Sequence, residues 1–187
     1  MNSRSLVVVG VIVLFVSGVT TLAQEVKVEP EQQYLVLEVT KLSTFEDELN
    51  SAAKQGFQLI MSTTSDNGAR VQALMQRVAT PPDVFQYRSV ATFSTKTGDK
   101  EMNAAAAEGF RALPHTSMVK KGITIFNTNN VVVMEKAPKS PETFDYLTIT
   151  AVRTATFHKE LKSAVDQGWK VIDMTYGQVL LERQKAR

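Results

Sequence analysis

Two histidines, His115 and His158, are the side chains best suited to proton transfer or metal ligation near neutral pH, and no cysteine is present to join them. Without cysteine the chain offers no disulfide, thiolate nucleophile, iron–sulfur cluster or cysteine-ligated zinc. His115 follows Pro114, and His158 stands near the start of a helical segment. Neither falls in HExxH or a comparable ligand spacing, so a structural or surface role is expected for both. No GxSxG elbow, P-loop or Rossmann glycine pattern occurs, which removes the usual signals of acyl transfer and nucleotide binding. The carboxylates are scattered, and spacing alone pairs no two of them for acid–base work. Met61, Met134 and Met174 lie among apolar strand residues, where filling a core explains them better than binding a soft metal. The sequence therefore assigns no catalytic residue, no cofactor and no metal ligand. The side chains with chemical capacity that do recur in register are Tyr34, Tyr87 and Tyr146. An enzyme built on them would need the three to converge.

Composition narrows the remaining classes. With 21 Lys+Arg against 19 Asp+Glu, the chain lacks the basic footprint needed to displace counterions from nucleic acid. A length of 187 residues with 43% apolar content suits one ordinary globular domain and excludes a disordered or collagenous chain.

Residues 1–23 read as an address rather than as structure. Arg4 precedes the apolar run Leu6 to Val19, and Thr21-Leu22-Ala23 supplies small residues at the two positions a signal peptidase inspects. Fourteen residues at a helical rise of 1.5 Å span about 21 Å, short of a hydrocarbon core of roughly 30 Å. Cleavage after Ala23 is expected, with export to a periplasm or the medium and no stable membrane insertion afterwards.

The elements that must position any site come from an internal register. With Tyr34, Tyr87 and Tyr146 aligned, a glycine falls 22 residues later in each case, at Gly56, Gly109 and Gly168. Around it stand Thr44, Thr97 and Thr156; Glu48, Glu101 and Glu160; Leu49, Met102 and Leu161; and Ala52, Ala105 and Ala164. The residue after the glycine is always aromatic: Phe57, Phe110 and Trp169. The threonine reads as an N-cap opening a helix of about eleven residues, and the shared glutamate as part of a solvated face. Phe45, Leu49, Ala52 and Ala53 form one apolar stripe on that helix. The glycine takes the left-handed position that ends it, with the aromatic folding back on the alanine. Strands are expected from Tyr34, Tyr87 and Tyr146, again after each glycine, and at Val71 to Met75, Val131 to Glu135 and Val179 to Glu182. Asp66-Asn67-Gly68 and Tyr176-Gly177 read as hairpin turns, and Pro81-Pro82 and Pro138 to Pro141 as linkers.

The expected fold is thus α+β: three tandem βαββ repeats, antiparallel sheets each covered by one short helix, in a pseudo-threefold arrangement. The boundaries are a signal peptide at 1–23, repeat 1 at 24–80, repeat 2 at 81–137 and repeat 3 at 138–187.

A tyrosine-led strand, a Leu-Asn pair ahead of a Gly-aromatic pair and a closing strand ending in a cation resemble the small bacterial domain-of-unknown-function family 4177. The matching residues are Tyr34, Leu49-Asn50, Gly56-Phe57 and Arg77; Tyr87, Met102-Asn103, Gly109-Phe110 and Lys136; and Tyr146, Leu161-Lys162, Gly168-Trp169 and Arg183. The resemblance implies a compact βαββ module and brings no catalytic residues with it.

Repeat 2 departs from the pattern. Twenty residues separate Phe110 from Val131, against 13 between Phe57 and Val71, and Gly98 replaces the phenylalanine of the helix start. Lys120-Lys121-Gly122 reads as a turn, Ile123 to Phe126 as an added strand, and Asn127 to Asn130 as a second turn. This excursion is the expected interaction surface, through Lys120, Lys121, Phe126, Asn127, Asn129 and Asn130. Drift of a redundant copy is the competing explanation. The functional expectation is a non-enzymatic binding or assembly module with a protein or small-molecule partner and no nucleic acid. The alternative is an enzyme or small-molecule-binding protein whose site forms between the repeats.

Overall fold

The computed structural model describes residues 31–78, 84–121, 128–137, 142–150 and 153–185. The expected signal peptide, both proline linkers and the expected strand Ile123 to Phe126 lie outside the described residues, as do Phe126 and Asn127 of the expected surface. Among the described residues the fold is α+β, with three α-helices and three antiparallel sheets. In order come β1 (Tyr34–Val39), α1 (Leu42–Lys54), β2 (Phe57–Ser65) and β3 (Arg70–Arg77). Next are β4 (Gln86–Thr92), α2 (Thr95–Ala107), β5 (Arg111–Ala112), β6 (Met118–Lys121) and β7 (Thr128–Lys136). Last are β8 (Phe144–Thr150), α3 (Thr154–Asp166), β9 (Lys170–Thr175) and β10 (Gln178–Gln184). Each sheet places its closing strand in the middle: β3 between β1 and β2, β7 between β4 and β5 with β6, and β10 between β8 and β9.

Alternation decides which strand face is buried. Leu35, Leu37 and Val39 of β1 point inward while Tyr34, Val36 and Glu38 point out, so one face of β1 meets the α1 stripe of Phe45, Leu49, Ala52 and Ala53. The helices have 13 residues where the sequence suggests about eleven, because they begin two residues before the threonines. Their N-caps are Lys41, Ser94 and Arg153, none with a side-chain cap bond, and Thr44 instead donates back to the Lys41 carbonyl at 2.9 Å. Leu42 packs on the core and draws the first turn of α1 into the helix ahead of Thr44.

The helix ends follow the expectation. Gly56, Gly109 and Gly168 have φ of 87°, 92° and 85°, a region that costs any residue with a Cβ. The amide of Gly109 donates to Ala106 and that of Phe110 to Ala105, and Gly168 and Trp169 repeat the pair on Val165 and Ala164. A cation from the closing strand then lies on each aromatic: Arg77 over Phe57, Lys136 over Phe110 and Arg183 over Trp169.

One irregularity explains the odd central segment. Ile60 in β2 and Ile172 in β9 are bulged residues, four positions past the helix-ending glycine in both cases. The residue at that position after Gly109 is Leu113, where β5 stops and the chain turns through Pro114 and His115, the latter at φ 61°. The excursion therefore grows from the bulge. It resumes as β6, so Lys120 and Lys121 are strand residues rather than a turn, and Asn129 and Asn130 belong to β7, paired with Lys120 and Val119.

The cores run across segment boundaries. The first unites β1, α1, β2 and β3 with Tyr87, Met118, Val131 and Val133, and the second unites α2 and its sheet with Phe144, Tyr146 and Leu180. The third, around Ile149, Ala164, Val179 and Leu181, is the smallest.

Candidate functional site

The polar side chains of interest gather at two junctions. At the first, α1 lies along the edge of β4. Asn50 accepts from the Tyr87 amide at 2.8 Å and donates to the Tyr87 carbonyl at 2.9 Å, the two bonds a neighbouring strand would make. Glu46 accepts from the Ser89 amide at 2.8 Å. The Tyr87 hydroxyl accepts from the Leu59 amide at 2.8 Å and donates to Glu135 at 2.9 Å, while Gln58 donates to both oxygens of Glu135.

At the second junction α2 lies along β8. Asn103 accepts from the Tyr146 amide at 2.8 Å and donates to its carbonyl at 3.1 Å, and Asp99 accepts from the Thr148 hydroxyl at 2.6 Å. The Tyr146 hydroxyl accepts from the Ala112 amide at 2.8 Å. Arg111 grips Glu182 through both oxygens, at 2.6 and 3.1 Å, and covers the Phe144 ring. Asp173 of β9 accepts the amides of Thr116 and Ser117, holding the bend after Pro114.

Burial sets the electrostatics of both. It raises the carboxyl of Glu135 above its ordinary value against the lowering effect of Tyr87 and Gln58. The Tyr87 phenol is pushed far up by burial and the Glu135 charge, and the Tyr146 phenol up to about 12, chiefly by burial. Neutral, hydrogen-bonded phenols of this kind are poor nucleophiles and poor general acids at neutral pH.

The three tyrosines do not converge. Tyr87 and Tyr146 are each 2% exposed in separate junctions, and Tyr34 is 54% exposed on the outer face of the first sheet. The expected shared site of three phenols is absent, because each hydroxyl that is buried is already taken by the segment before it. His115 serves through its backbone, its carbonyl accepting from the Ser62 amide at 3.1 Å, and His158 is exposed on α3. The shared glutamate is solvated as Glu101 and Glu160. In α1, however, Glu48 is half-buried, and lost hydration lifts its carboxyl to about 6.

The described part of the excursion is packed against the first segment. Lys120 is buried and donates to the Lys121 carbonyl, and Lys121 reaches Asn67 at 2.8 Å in the turn between β2 and β3. Gly68 of that turn has room for no Cβ without pressing on the Val119 carbonyl at 3.1 Å. Asn129 and Asn130 are half-buried in β7.

Between α2 and the second and third sheets is a cavity of about 30 Å3, lined by Val90, Thr92, Gly98, Met102, Thr148 and Leu180 among others. It adjoins the place where Gly98 stands instead of the fully buried Phe45 of α1. That volume suits about one water. Among the described residues no group of three His, Asp or Glu is placed to hold a metal, and no helix is long and apolar enough to cross a membrane.

The remaining feature is a pair of open faces. Tyr34 and Val36 on β1 are exposed, and so are Val165 on α3 with Val171 and Met174 on β9. The chain matches no protein-family model, no curated protein sequence and no solved structure.

Proposed function

We propose that this chain is a non-enzymatic binding and assembly module made of three copies of one βαββ unit, exported by its N-terminal segment. What carries the reading is the use made of the polar residues. The groups with chemical capacity, Tyr87, Tyr146, Glu135, Glu182, Asn50 and Asn103, are consumed in joining one unit to the next. Among the side chains left facing water are apolar ones on β1 and on α3 with β9, beside others such as Phe93 and Tyr176. The resemblance to family 4177 fits units of this size, which lie near the lower limit for independent stability and gain by sharing cores. On this reading the pseudo-threefold relation is one of successive units, and a closed ring would need Tyr34 buried as Tyr87 and Tyr146 are.

The test is recovery of the protein from its native compartment after reversible crosslinking. A stoichiometric protein partner, and an N terminus at Gln24, are expected. The second reading is an enzyme or small-molecule site formed between the repeats, for which the cavity between the second and third units, with room for about one water, is the starting point among the described residues. Thr92→Val or Thr148→Val would then abolish turnover or ligand-induced thermal stabilisation, with no protein partner recovered, and that result would replace the assembly reading.

A further inference from the structure

We infer that the partner of the two open faces is a second copy of this chain, joined head to tail as the units are joined inside it. This rests on the assembly reading above and names its partner. The internal joint has been made twice with one set of positions. Its docking face is a strand and the closing strand paired to it: Tyr87 and Ser89 opposite Glu135 and Val133, then Tyr146 and Thr148 opposite Glu182 and Leu180. The same register on the first sheet puts Tyr34 and Val36 opposite Gln76 and Leu74. This face keeps the tyrosine, the apolar centre and a hydrogen-bonding side chain across from the tyrosine. It has no unit before it to cover it among the described residues.

The receiving platform also recurs. In the first two units it is Ala53 with Leu59, and Ala106 with Ala112, all buried in cores that also take in the tyrosine of the next sheet, Tyr87 and Tyr146 respectively. In the third it is Val165 with Val171, both exposed, with Met174 beside them on the same face. The Val171 amide corresponds in position to those of Leu59 and Ala112, which bind the tyrosine hydroxyl in the two internal joints.

The polar substitutions at the open ends are mutually consistent. Ser89 and Thr148 are held by Glu46 and Asp99. Val36 has no hydroxyl to hold, and the residue of α3 at the acid's position is His158. Glu182 takes Arg111, whereas the open ends offer Gln76 and Lys170, an amide oxygen for an ammonium. Lys162 stands in place of Asn50 and Asn103; it is paired with Asp166 at 2.6 Å and the Tyr34 carbonyl accepts from Gln32 at 2.8 Å, so a bond between the two means exchanging those partners, and an ammonium cannot accept from the amide. The joint between copies is therefore weaker than the joints within one. A face meeting a different face is a heterologous contact, which adds copies without a fixed end unless the geometry closes.

Sedimentation equilibrium of the full chain, purified as the producing cell leaves its N terminus, tests this. The wild type should gain mass with concentration past the dimer. Val36→Arg blocks the head and Val171→Asp the tail. Each alone should stay monomeric with an unchanged melting temperature, since both side chains are exposed, and Val165→Glu should repeat the tail result. An equimolar mixture of Val36→Arg and Val171→Asp should form a dimer and stop there, because one intact head and one intact tail remain. Lys162→Asn restores both bonds to the strand and should tighten association about tenfold, roughly the worth of one net hydrogen bond. A wild type monomeric at millimolar concentration, self-association untouched by both blocks, or a mixture that stays monomeric would each overturn the inference. A monomeric wild type that captures a different protein through Val171 also overturns it but leaves the assembly reading standing. A monomer with no captured protein removes both.

Discussion

The two internal junctions share a plan and differ in charge. Both lay a helix asparagine along an edge strand and both close on a tyrosine hydroxyl that takes a backbone amide. In the first, the buried carboxylate Glu135 is met by the neutral groups Tyr87 and Gln58; in the second, Glu182 is met by Arg111. An asparagine pair works at any charge, because it replaces a strand's own hydrogen bonds one for one. The carboxylate is the variable part. Paired with an amide it carries a burial penalty, and paired with a guanidinium it depends on a partner that cannot be lost without stranding a charge.

The largest effect should come from breaking the charged pair. Arg111→Leu leaves the Glu182 carboxylate, 7% exposed, without its cation. Removing one member of a buried pair costs about 3–5 kcal/mol, and the half-exposed arginine reduces that to roughly 2–3 kcal/mol. Gln58→Leu at the matching position of the first junction removes an uncharged donor shared by the two Glu135 oxygens and should cost less, about 1–1.5 kcal/mol. Urea unfolding would compare them, and equal losses would mean that the two junctions are not electrostatically distinct.

Next in size are the asparagines. Asn50→Ala and Asn103→Ala each strip two hydrogen bonds from a covered edge and should each cost about 1–3 kcal/mol, with similar values in the two junctions. Here a large disparity would break the shared plan. Tyr87→Phe and Tyr146→Phe should follow at about 1–2 kcal/mol, since each leaves a strand amide without an acceptor. Tyr87→Phe also removes a donor from Glu135, so it should be the costlier of the two at neutral pH.

A pH series separates the junctions differently. The Glu135 carboxyl is raised above 4.5 by burial, so the folded chain keeps a proton where the unfolded chain has lost it. Stability from that proton is complete below the unfolded value and is lost as pH climbs through the folded one. Glu135→Gln, which still accepts from Tyr87 and Gln58, should therefore match the wild type in acid and overtake it slightly as pH rises to neutrality. Glu182→Gln should instead be destabilising at neutral pH, because Arg111 loses its charge partner. A wild type that gained on Glu135→Gln with rising pH would reverse the sign and the assignment.

Much of this architecture can be read from the sequence, and the reasons are local. Gly109 and Phe110 end α2 because a left-handed residue and a ring folding back on Ala105 are short-range requirements, visible in a single strip of sequence. The antiparallel hairpins are legible from their turn residues, Asp66 to Gly68 and Tyr176-Gly177, but the place of the closing strand in the middle of each sheet is not, because β1 reaches β3 only across the intervening helix and strand. The helix starts are less legible, since Leu42 enters α1 for a packing reason that no cap residue announces. The junctions are almost illegible: Asn50 meets Tyr87 across 37 residues and Asp173 meets Thr116 across 57. Asn50 and Asn103 stand out in sequence only as half of a Leu-Asn mark, with nothing to say that they face a strand. The excursion misleads for a related reason. Lys120 has the composition of a surface turn, yet it pairs with Asn129 in the sheet and is buried there, while its neighbour Lys121 reaches Asn67 in the turn between β2 and β3.

The smallest expected effect concerns Gly98, where α2 lacks the ring that Phe45 gives α1. Glycine inside a helix is worth about 0.5–1 kcal/mol less than alanine, so Gly98→Ala should stabilise α2 by that amount if its methyl group fits. The new Cβ would lie 2.9 Å from the Thr92 hydroxyl, which donates to the Ser94 carbonyl at 3.0 Å. Turning Thr92 aside gives up that bond, a loss of about 1 kcal/mol that offsets the helix gain. The single substitution should thus change the melt by less than about 0.5 kcal/mol in either direction. Thr92→Ala removes the obstruction, and in that background Gly98→Ala should recover its full helical gain of about 0.5–1 kcal/mol. Additive behaviour of the pair would show that Thr92 does not limit this position. The absence of a ring at this position of α2 would then owe nothing to its close contact with β4.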